Sequence, residues 1–388
     1  MSALTDSRRM LGLLAVSAIL CAAVVLLVIL AGLTDDGSLA WTNRDFSNYW
    51  IASRLVLEGR VLNLFQGQDI YFAHMTAAFG AGFPWHAWSY PPHFLLLIWP
   101  LGLLPYSVSM IVFLLVTMLI YLHAVSLVAR QNPEFPALFL LPFILCNVLA
   151  AQNGFMTAAL LLYGLVLRDS RPLLAGIAIG LLTVKPQIGI LLPLLLLFER
   201  RWIVILMAGV TTVAAVLLSV WIFGFETWTG YVQQTWPYQT RVMNEGEGIF
   251  VHMMLSTFGA LRSLGYDAAA AIYGHAPVAI AAFLVFGWTL FKLRNSDNQA
   301  AGLVFATFLI SPYSLVYDLG ALVVVSSSIY RLGPANLSGR IAYIVLASLP
   351  LSGPMLSLGG LPVVPLLFAI GWGVLILQDV NRDRVASR

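Results

Sequence analysis

The sequence predicts an all-α polytopic membrane protein, from its composition, its recurring apolar runs and the distribution of its basic residues. Of the 388 residues, 60% are hydrophobic and 10% are charged, and the mean hydropathy is +0.89. Apolar runs of membrane-spanning length recur along the chain, which is typical of an integral membrane protein. The net charge is only +3 and no basic run is present, so nucleic acid is not an expected partner.

Hydropathy predicts about 12 crossings in one membrane domain that covers residues 1–388. The first run is longer than a signal-peptide core and no cleavage site follows it, so we interpret it as a retained helix. Pro100 and Pro105 divide the second run into an interfacial or re-entrant piece and a full span. The predicted spans are 11–33, 93–129, 137–150, 153–167, 172–184, 187–198, 202–224, 276–293, 300–311, 315–330, 341–351 and 361–378.

The positive-inside rule predicts the orientation of these spans. With the N-terminus cytoplasmic, the C-terminus is also cytoplasmic, most of the 20 basic residues lie inside, and the acids show the opposite bias. Two long loops, 34–92 and 225–275, then lie outside, the first with interfacial helices. Long loops in a compact protein usually carry function, so we expect a site on the extracytoplasmic face. The basic residues predicted outside are Arg44, Arg54, Arg60, Lys185, Arg241 and Arg262.

Polar residues from five further segments are predicted on the same outer face. They include Tyr90, Pro91, Pro92 and His93 in "SYPPH", Gln152 and Asn153 in "AQNG", Lys185 in "VKPQ", Arg241 and His252 in "RVMNEGEGIFVH", and Tyr317 and Asp318 in "SPYSLVYD".

Asp45 stands just beyond the first span, at the head of the amphipathic stretch 46–57. One interpretation is an Asp N-cap for a helix that lies in the outer interface and ends near Gly59. The other is a general base at the water–lipid boundary, where an acceptor hydroxyl and a lipid-carried donor meet. The sequence leaves both open.

Three other polar residues also allow two interpretations. Lys185 lies between two apolar runs, where a charge costs about 2.5–3.5 kcal/mol at a helix centre. It either extends to the outer headgroups or faces an anionic ligand, beside a helix break at Pro186. Asp318 is either a helix-end or paired structural acid, or part of the site. His252 is either a solvated loop residue or a phosphate contact.

No motif in the sequence predicts a metal or a nucleotide cofactor. His74, His86 and His93 lack the spacing of a metal site, and neither a Walker A nor a G-x-G-x-x-G motif occurs. Cys21 and Cys146 both lie in apolar runs, where inert core residues are expected.

Four segments, taken in order, resemble glycosyltransferase family 87. They are "RDFSNYWIASRLVLEG", "YPPHFLLLIWPLGLLP", the stretch from "QNGFMTAALLL" to "TVKPQIGILLPLLLLFERRW", and "SPYSLVYDLGAL", which together cover about 40–330. The resemblance implies a GT-C-type fold and an inverting transfer of a sugar from a polyprenyl-phosphate carrier, with the acid of the first outer loop, here Asp45, as general base. It implies site-lining positions for Lys185 and Asp318 and suggests His252 as a further match.

The implied chemistry needs one base to take the acceptor proton, and the leaving phosphate needs cations rather than a proton. Lys185, Arg241 and His252 are the candidate cations on the outer face. We expect mannose, or else a pentose, to be transferred to a glycolipid or glycan during cell envelope biosynthesis at the bacterial inner (plasma) membrane, with a periplasmic active site. The alternative is a transporter or flippase of a lipid-linked sugar, for which inverted repeats are expected but not found in the sequence.

Overall fold

The computed structural model describes residues 45–131, 140–293, 295–332 and 337–386. Helix accounts for 82% of the structure and the described residues contain no strand. Several helices are apolar, as expected of a multi-pass membrane protein. The all-α prediction is confirmed in this form. The predicted run 11–33, the start of the run 137–150 and the residues before Asp45 lie outside the described residues.

The α-helices are numbered in chain order. They are α1 (Phe46–Leu57), α2 (Gln68–Phe79), α3 (Leu95–Ile98), α4 (Tyr106–Gln131), α5 (Leu140–Ala150), α6 (Gly154–Val166), α7 (Pro172–Leu181), α8 (Leu192–Phe198), α9 (Trp202–Phe223), α10 (Phe225–Gly230), α11 (Trp236–Glu245), α12 (Ile249–Met253), α13 (Thr257–Ser263), α14 (Ala268–Lys292), α15 (Ser296–Ile310), α16 (Leu322–Leu332), α17 (Leu337–Leu358) and α18 (Val364–Ala386). Short 3₁₀ segments lie at Val61–Leu64, Pro92–Phe94, Trp99–Leu103, Leu182–Val184, Pro186–Gly189 and Val316–Ala321, and a π-helical turn lies at Tyr231–Thr235.

The chain divides into two compact units. The first, unit 1, contains the described parts of Met1–Ile120, Asn147–Asn153 and Val210–Val242. The second, unit 2, contains the described parts of Tyr121–Cys146, Gly154–Gly209 and Met243–Arg388. That residues 1–388 act as one membrane domain stays a prediction.

Unit 1 is built around an aromatic core beneath α1. The ring of Tyr49 packs 5.6 Å from that of Phe94 and 5.4 Å from that of Phe113, which also contacts Phe46 at 5.5 Å. Such pairs contribute about 0.5–1.5 kcal/mol each beyond the area they bury. These contacts hold in place the face of α1 that carries Phe46 and Tyr49, directly after Asp45.

Unit 2 is built around α15. Its residues from Asn298 to Leu309 are all buried, as expected of a helix that is apolar on every side. It packs against α14, α16 and α18, and Phe305 stacks on Trp372 with ring centroids 6.3 Å apart.

Four helices in the described part of the chain are long and apolar enough to cross a membrane: Tyr106–Ala129, Trp202–Phe223, Ala268–Lys292 and Ile341–Leu358. The predicted division of 93–129 is confirmed, because short helical pieces end at Leu103 and α4 begins directly after Pro105. Other predicted runs are short apolar helices of 10–17 residues. The count of 12 crossings stays a prediction.

Several helix boundaries differ from the prediction. The segment 225–275 is largely helical, and α14 begins at Ala268 rather than at 276 because the side chain of Asp267 accepts a hydrogen bond of 2.7 Å from the backbone N–H of Ala270. Helix α17 continues to Leu358, through Pro350 and Pro354, beyond the predicted end at 351.

Helix α1 forms as predicted but is more deeply buried than an interfacial helix. Eight of its 12 residues are buried, whereas Leu57 is 41% exposed. Its end has the predicted glycine: Gly59 has a φ of +68°, and the N–H groups of Gly59 and Arg60 bond the carbonyls of Val56 and Leu55 at 3.2 and 2.8 Å. This is a Schellman motif, in which glycine is favoured.

Candidate active site

Asp45 begins α1 and bonds residues that lie far away in the sequence. Its Oδ2 accepts a hydrogen bond of 3.2 Å from Nε2 of Gln152, and its backbone N–H donates to the carbonyl of Ala150 at 3.3 Å. Asp45 occupies the N-cap position, but its side chain makes no capping hydrogen bond. Side-chain capping is therefore the wrong interpretation, and the carboxylate serves a tertiary contact instead.

The backbone that presents Gln152 reverses sharply after α5. The N–H groups of Gln152 and Ala151 bond the carbonyls of Asn147 and Val148 at 3.3 and 3.2 Å. Ala151 has a φ of +49°, in the left-handed region that glycine normally fills at a helix end. A residue with a side chain costs about 1–2 kcal/mol there. Backbone strain of this kind is common at functional sites.

Gln152 is the centre of a polar network. Its Oε1 accepts hydrogen bonds from the backbone N–H of Asn153 at 2.8 Å, from the hydroxyl of Tyr90 at 3.3 Å and from the hydroxyl of Tyr49. The two hydroxyls are 2.9 Å apart. Four of the predicted positions, Asp45, Tyr90, Gln152 and Asn153, therefore meet in one hydrogen-bonded group.

The segment after Tyr90 is anchored by a ring stack. Pro91 is the N-cap of the 3₁₀ turn Pro92–Phe94, and Pro91, Pro92 and His93 are buried. The ring of His93 lies parallel to that of Trp228, with centroids 5.7 Å apart and an interplanar angle of 2°. The predicted outer residues Pro91, Pro92 and His93 thus act here as packing groups beside the network.

The two predicted outer loops adjoin within unit 1. The Nε2 of Gln239 donates to the carbonyl of Ser89, and the indole N–H of Trp85 donates to the hydroxyl of Tyr238 at 2.7 Å. Arg241 is exposed on the same helix, α11, one turn beyond these contacts. Parts of the two predicted outer loops therefore contact each other within unit 1.

A second polar group lies in unit 2 around Lys185. Its Nζ is 2.5 Å from Oδ1 of Asp318 and 4.9 Å from the ring centroid of Tyr317. Lys185 and Asp318 are 5% and 2% exposed. Lys185 separates the 3₁₀ segments Leu182–Val184 and Pro186–Gly189, so the predicted helix break at Pro186 is confirmed.

The buried ion pair bears on the interpretations of both Asp318 and Lys185. Asp318 is a paired acid, one of the alternatives that its sequence position allowed. Its Oδ2 is buried without a hydrogen-bond partner among the described residues. Lys185 neither extends to a headgroup region as an exposed side chain nor stands as an unpaired cation.

His252 lies in α12 of unit 2 and bonds a hydroxyl. Its Nδ1 is 2.9 Å from Oγ of Ser357, and the residue is partly exposed. The nearby backbone N–H of Leu255 donates to the carbonyl of Ser314 at 2.9 Å. The contact with Ser357 and the partial burial show that His252 is not a fully solvated loop residue. The contact of Leu255 joins the same stretch of chain to the segment 311–318.

The predicted site residues belong to two different units. Unit 1 holds Asp45, Tyr90, Pro91, Pro92, His93, Gln152, Asn153 and Arg241, and unit 2 holds Lys185, His252, Tyr317 and Asp318.

Tyr49 is a network member that the sequence analysis did not single out. It stands four residues after Asp45 and therefore on the same face of α1, which is a signal that the sequence does carry. It is fully buried.

Tyr71, in α2, contacts the first turn of α1. Its hydroxyl donates to Oδ1 of Asn48 at 2.7 Å. Burial raises the pKa of Tyr71 well above its usual value, so the hydroxyl remains a donor at physiological pH. Among the described residues, no three His, Cys, Asp or Glu side chains are grouped to hold a metal.

A comparison with protein-family models identifies the family of this chain. The model of glycosyltransferase family 87 matches residues 88–312, more than half of the 388-residue chain. The match includes Gln152, Lys185, Arg241 and His252 and ends before Asp318, and it begins after Asp45. Searches of curated proteins and of solved structures gave no match. The chain, with its apolar helices and its matched central region, belongs to glycosyltransferase family 87.

Proposed function

We propose that this glycosyltransferase moves a sugar from a polyprenyl-phosphate carrier to a glycolipid or glycan acceptor on the extracytoplasmic face of the membrane, with Asp45 as general base. The observation that supports it most is the setting of Asp45. Its carboxylate makes no capping bond and is held by Gln152 among tyrosine hydroxyls. A carboxylate held in this way suits proton abstraction from an acceptor hydroxyl.

The reaction is a single inverting displacement. Asp45 takes the proton of the acceptor hydroxyl, whose oxygen forms a new bond to the anomeric carbon of the sugar. The bond from that carbon to the phosphate oxygen breaks, and the polyprenyl phosphate leaves with the electron pair. One base suffices because no covalent sugar–enzyme intermediate has to be hydrolysed, and the leaving phosphate needs cations rather than a proton.

Arg241, Lys185 and His252 are the proposed partners of the phosphate. Arg241 is exposed and belongs to unit 1 with Asp45. Lys185 already pairs with Asp318 at 2.5 Å, so the pair carries little net charge. Arg241 is assigned the largest share of phosphate binding, because it belongs to the unit that holds Asp45 and its guanidinium can bond phosphate oxygens in a bidentate manner.

The sugar and the cellular setting follow from the resemblance rather than from geometry. Mannose is the proposed sugar, a pentose being the other candidate, and cell envelope biosynthesis at the bacterial inner membrane is the proposed role. The half-exposed ring of Trp85 offers a face on which a sugar of the acceptor can stack.

The proposal is tested with Asp45→Asn in purified enzyme supplied with radiolabelled polyprenyl-phosphate sugars and a membrane extract. Asparagine keeps an oxygen for the hydrogen bond from Gln152 but cannot take a proton, so the fold is retained while kcat falls by about 10²–10⁴-fold. Asp69→Asn, an exposed acid in the first turn of α2, is the control and should retain turnover.

Near-normal turnover by Asp45→Asn would contradict the role of Asp45. Movement of labelled lipid-linked sugar across liposomes without a new glycosidic bond would instead support the transporter or flippase alternative.

A further inference from the structure

The amide of Gln152 meets Asp45 in a direction that its other contacts determine. Its Oε1 lies 2.8 Å from the backbone nitrogen of Asn153, and a backbone N–H can only donate. The amide oxygen must therefore face Asn153, which leaves Nε2 facing Oδ2 of Asp45 at 3.2 Å. The ambiguity that usually affects amide side chains is removed by this contact.

Two tyrosines contact the same amide oxygen. The hydroxyl of Tyr49 donates to Oε1 of Gln152, and the hydroxyl of Tyr90 lies 3.3 Å from the same atom. A phenol hydroxyl can donate or accept, so these two contacts are compatible with the orientation that the N–H of Asn153 determines. Gln152 is only 7% exposed. Rotation of its amide would turn Nε2 toward the backbone N–H of Asn153 and Oε1 toward Oδ2 of Asp45, and losing such a hydrogen bond at a buried group costs about 1–3 kcal/mol.

We infer that Gln152 positions the carboxylate of Asp45 for proton abstraction, and that the left-handed backbone of Ala151 presents Gln152 for this purpose. The inference rests on the proposed role of Asp45 as the base. An N–H bonded to Oδ2 restrains rotation of the carboxylate and fixes the direction in which it can accept a proton. Geometry matters here because a displacement of about 1 Å can reduce a rate by about 10²-fold.

Gln152→Glu tests this inference with almost no change in shape. The donor that faces Asp45 becomes a carboxylate oxygen, and two carboxylates this close resist being ionised together, so the pair keeps a proton to higher pH. Because a base acts only when deprotonated, the acidic limb of the profile of kcat/KM against pH should move to higher pH by about one unit or more. Tyr49 and Tyr90 are the other ionisable side chains bonded to Gln152.

Gln68→Glu is the matched control. Gln68 is also 7% exposed and lies in unit 1, and its amide bonds the backbone O and N of Trp88 at 3.2 and 2.9 Å. The exchange introduces a buried carboxylate without placing it against Asp45, so the acidic limb should stay where it is. An equal shift in both glutamate variants would assign the effect to buried charge in general and overturn the inference.

Gln152→Met provides a second readout, which decides the matter if the glutamate variant does not fold. Methionine has a similar volume but no N–H, so kcat should fall by about tenfold or more while KM for the donor changes little. A kcat equal to that of the parent enzyme would overturn the inference. If Asp45→Asn is inactive while both Gln152 variants behave like the parent, the proposed function stands and this inference fails. An active Asp45→Asn instead contradicts the proposed role of Asp45 as the base.

Discussion

Asp45 and Lys185, each out of place in an apolar chain, are accommodated by different kinds of partner. Asp45 accepts a hydrogen bond from the neutral amide of Gln152, among its other contacts. Lys185 bonds a carboxylate, which cancels its charge within a buried pair. The first arrangement suits a base that has to accept a proton, and the second suits a structural link between separate segments of unit 2.

The Lys185–Asp318 pair leads to a stability prediction. Lys185→Met leaves Asp318 buried without its cation, and breaking a buried pair from one side costs about 3–5 kcal/mol of unfolding free energy. Lys185→Met combined with Asp318→Leu removes both charges and should regain most of that loss. Denaturant unfolding of the detergent-solubilised protein measures both variants.

The exposed pair Arg54–Glu58 is the control for this prediction. Its atoms are 3.3 Å apart and the side chains are 48% and 39% exposed, so Arg54→Met should cost about 1 kcal/mol or less. A double variant as unstable as Lys185→Met would show that charge compensation is not what the pair provides. A stable double variant with a raised KM for the donor would support phosphate binding by Lys185.

At the residue scale, the sequence identifies the unusual polar groups but not their partners. Asp45 and Lys185 stand out because each lies next to apolar runs. Gln152 is 107 positions from Asp45, and Asp318 is 133 positions from Lys185, so no local pattern could connect them. The contact between Gln152 and Asp45 also depends on the direction of the Gln152 side chain. Ala151 sets that direction through a left-handed φ, which alanine disfavours.

At the element scale, the predictions succeed where proline or glycine dictates the backbone. The breaks at Pro105 and Pro186 and the helix end at Gly59 are all confirmed. They fail where hydropathy alone was used: α14 begins eight residues before the predicted 276, because the cap at Asp267 and not the apolar run sets its start. Burial of α1 could not be foreseen from its own sequence, because its covering segments come from elsewhere in unit 1.

Helix α1 depends on close approach by the segment Trp99–Leu103, which gives an element-scale prediction. A Cβ added to Gly102 would lie 2.8 Å from the backbone carbon of Ser53 and 2.9 Å from the nitrogen of Arg54. Because backbone atoms cannot move aside cheaply, Gly102→Ala should displace α1, lower the melting temperature and reduce kcat through the position of Asp45.

Gly82→Ala is the control for the displacement of α1. A Cβ at Gly82 meets nothing within 4 Å, so both the melting temperature and kcat should stay close to those of the parent. Normal values for Gly102→Ala would show that α1 tolerates the displacement, and the tight contact would then have no part in placing Asp45.

At the scale of the whole molecule, the apolar helices of the described residues fall into two length classes. Four described helices are long enough to cross a membrane alone, whereas Gly154–Val166 and Pro172–Val184 belong to a set of 10–17 residues. A helix of 13 residues spans about 20 Å at a rise of 1.5 Å per residue, short of a hydrocarbon core of about 30 Å. Hydropathy predicts the positions of these short apolar segments correctly. It does not determine which of them combine to cross the membrane.

The predicted orientation gives the last test, which uses single cysteines in a chain from which both native cysteines have been removed. Gln66→Cys and Glu247→Cys are predicted outside, and Arg171→Cys and Lys292→Cys inside; all four positions are exposed. A membrane-impermeant maleimide added to intact cells should label the first two and reach the others only after permeabilisation.

The position that decides most is Arg171, because only one predicted crossing, 172–184, separates it from Lys185. If Arg171→Cys is protected in intact cells while Gln66→Cys reacts, Arg171 lies on the face opposite to the first long loop, as the predicted orientation requires. If Arg171→Cys reacts from outside, the predicted orientation is wrong for the segment 172–184, and the assignment of Lys185 to the outer face loses its support. Its pair with Asp318 would then be structural, and Arg241 would remain as the phosphate ligand in the unit that contains Asp45.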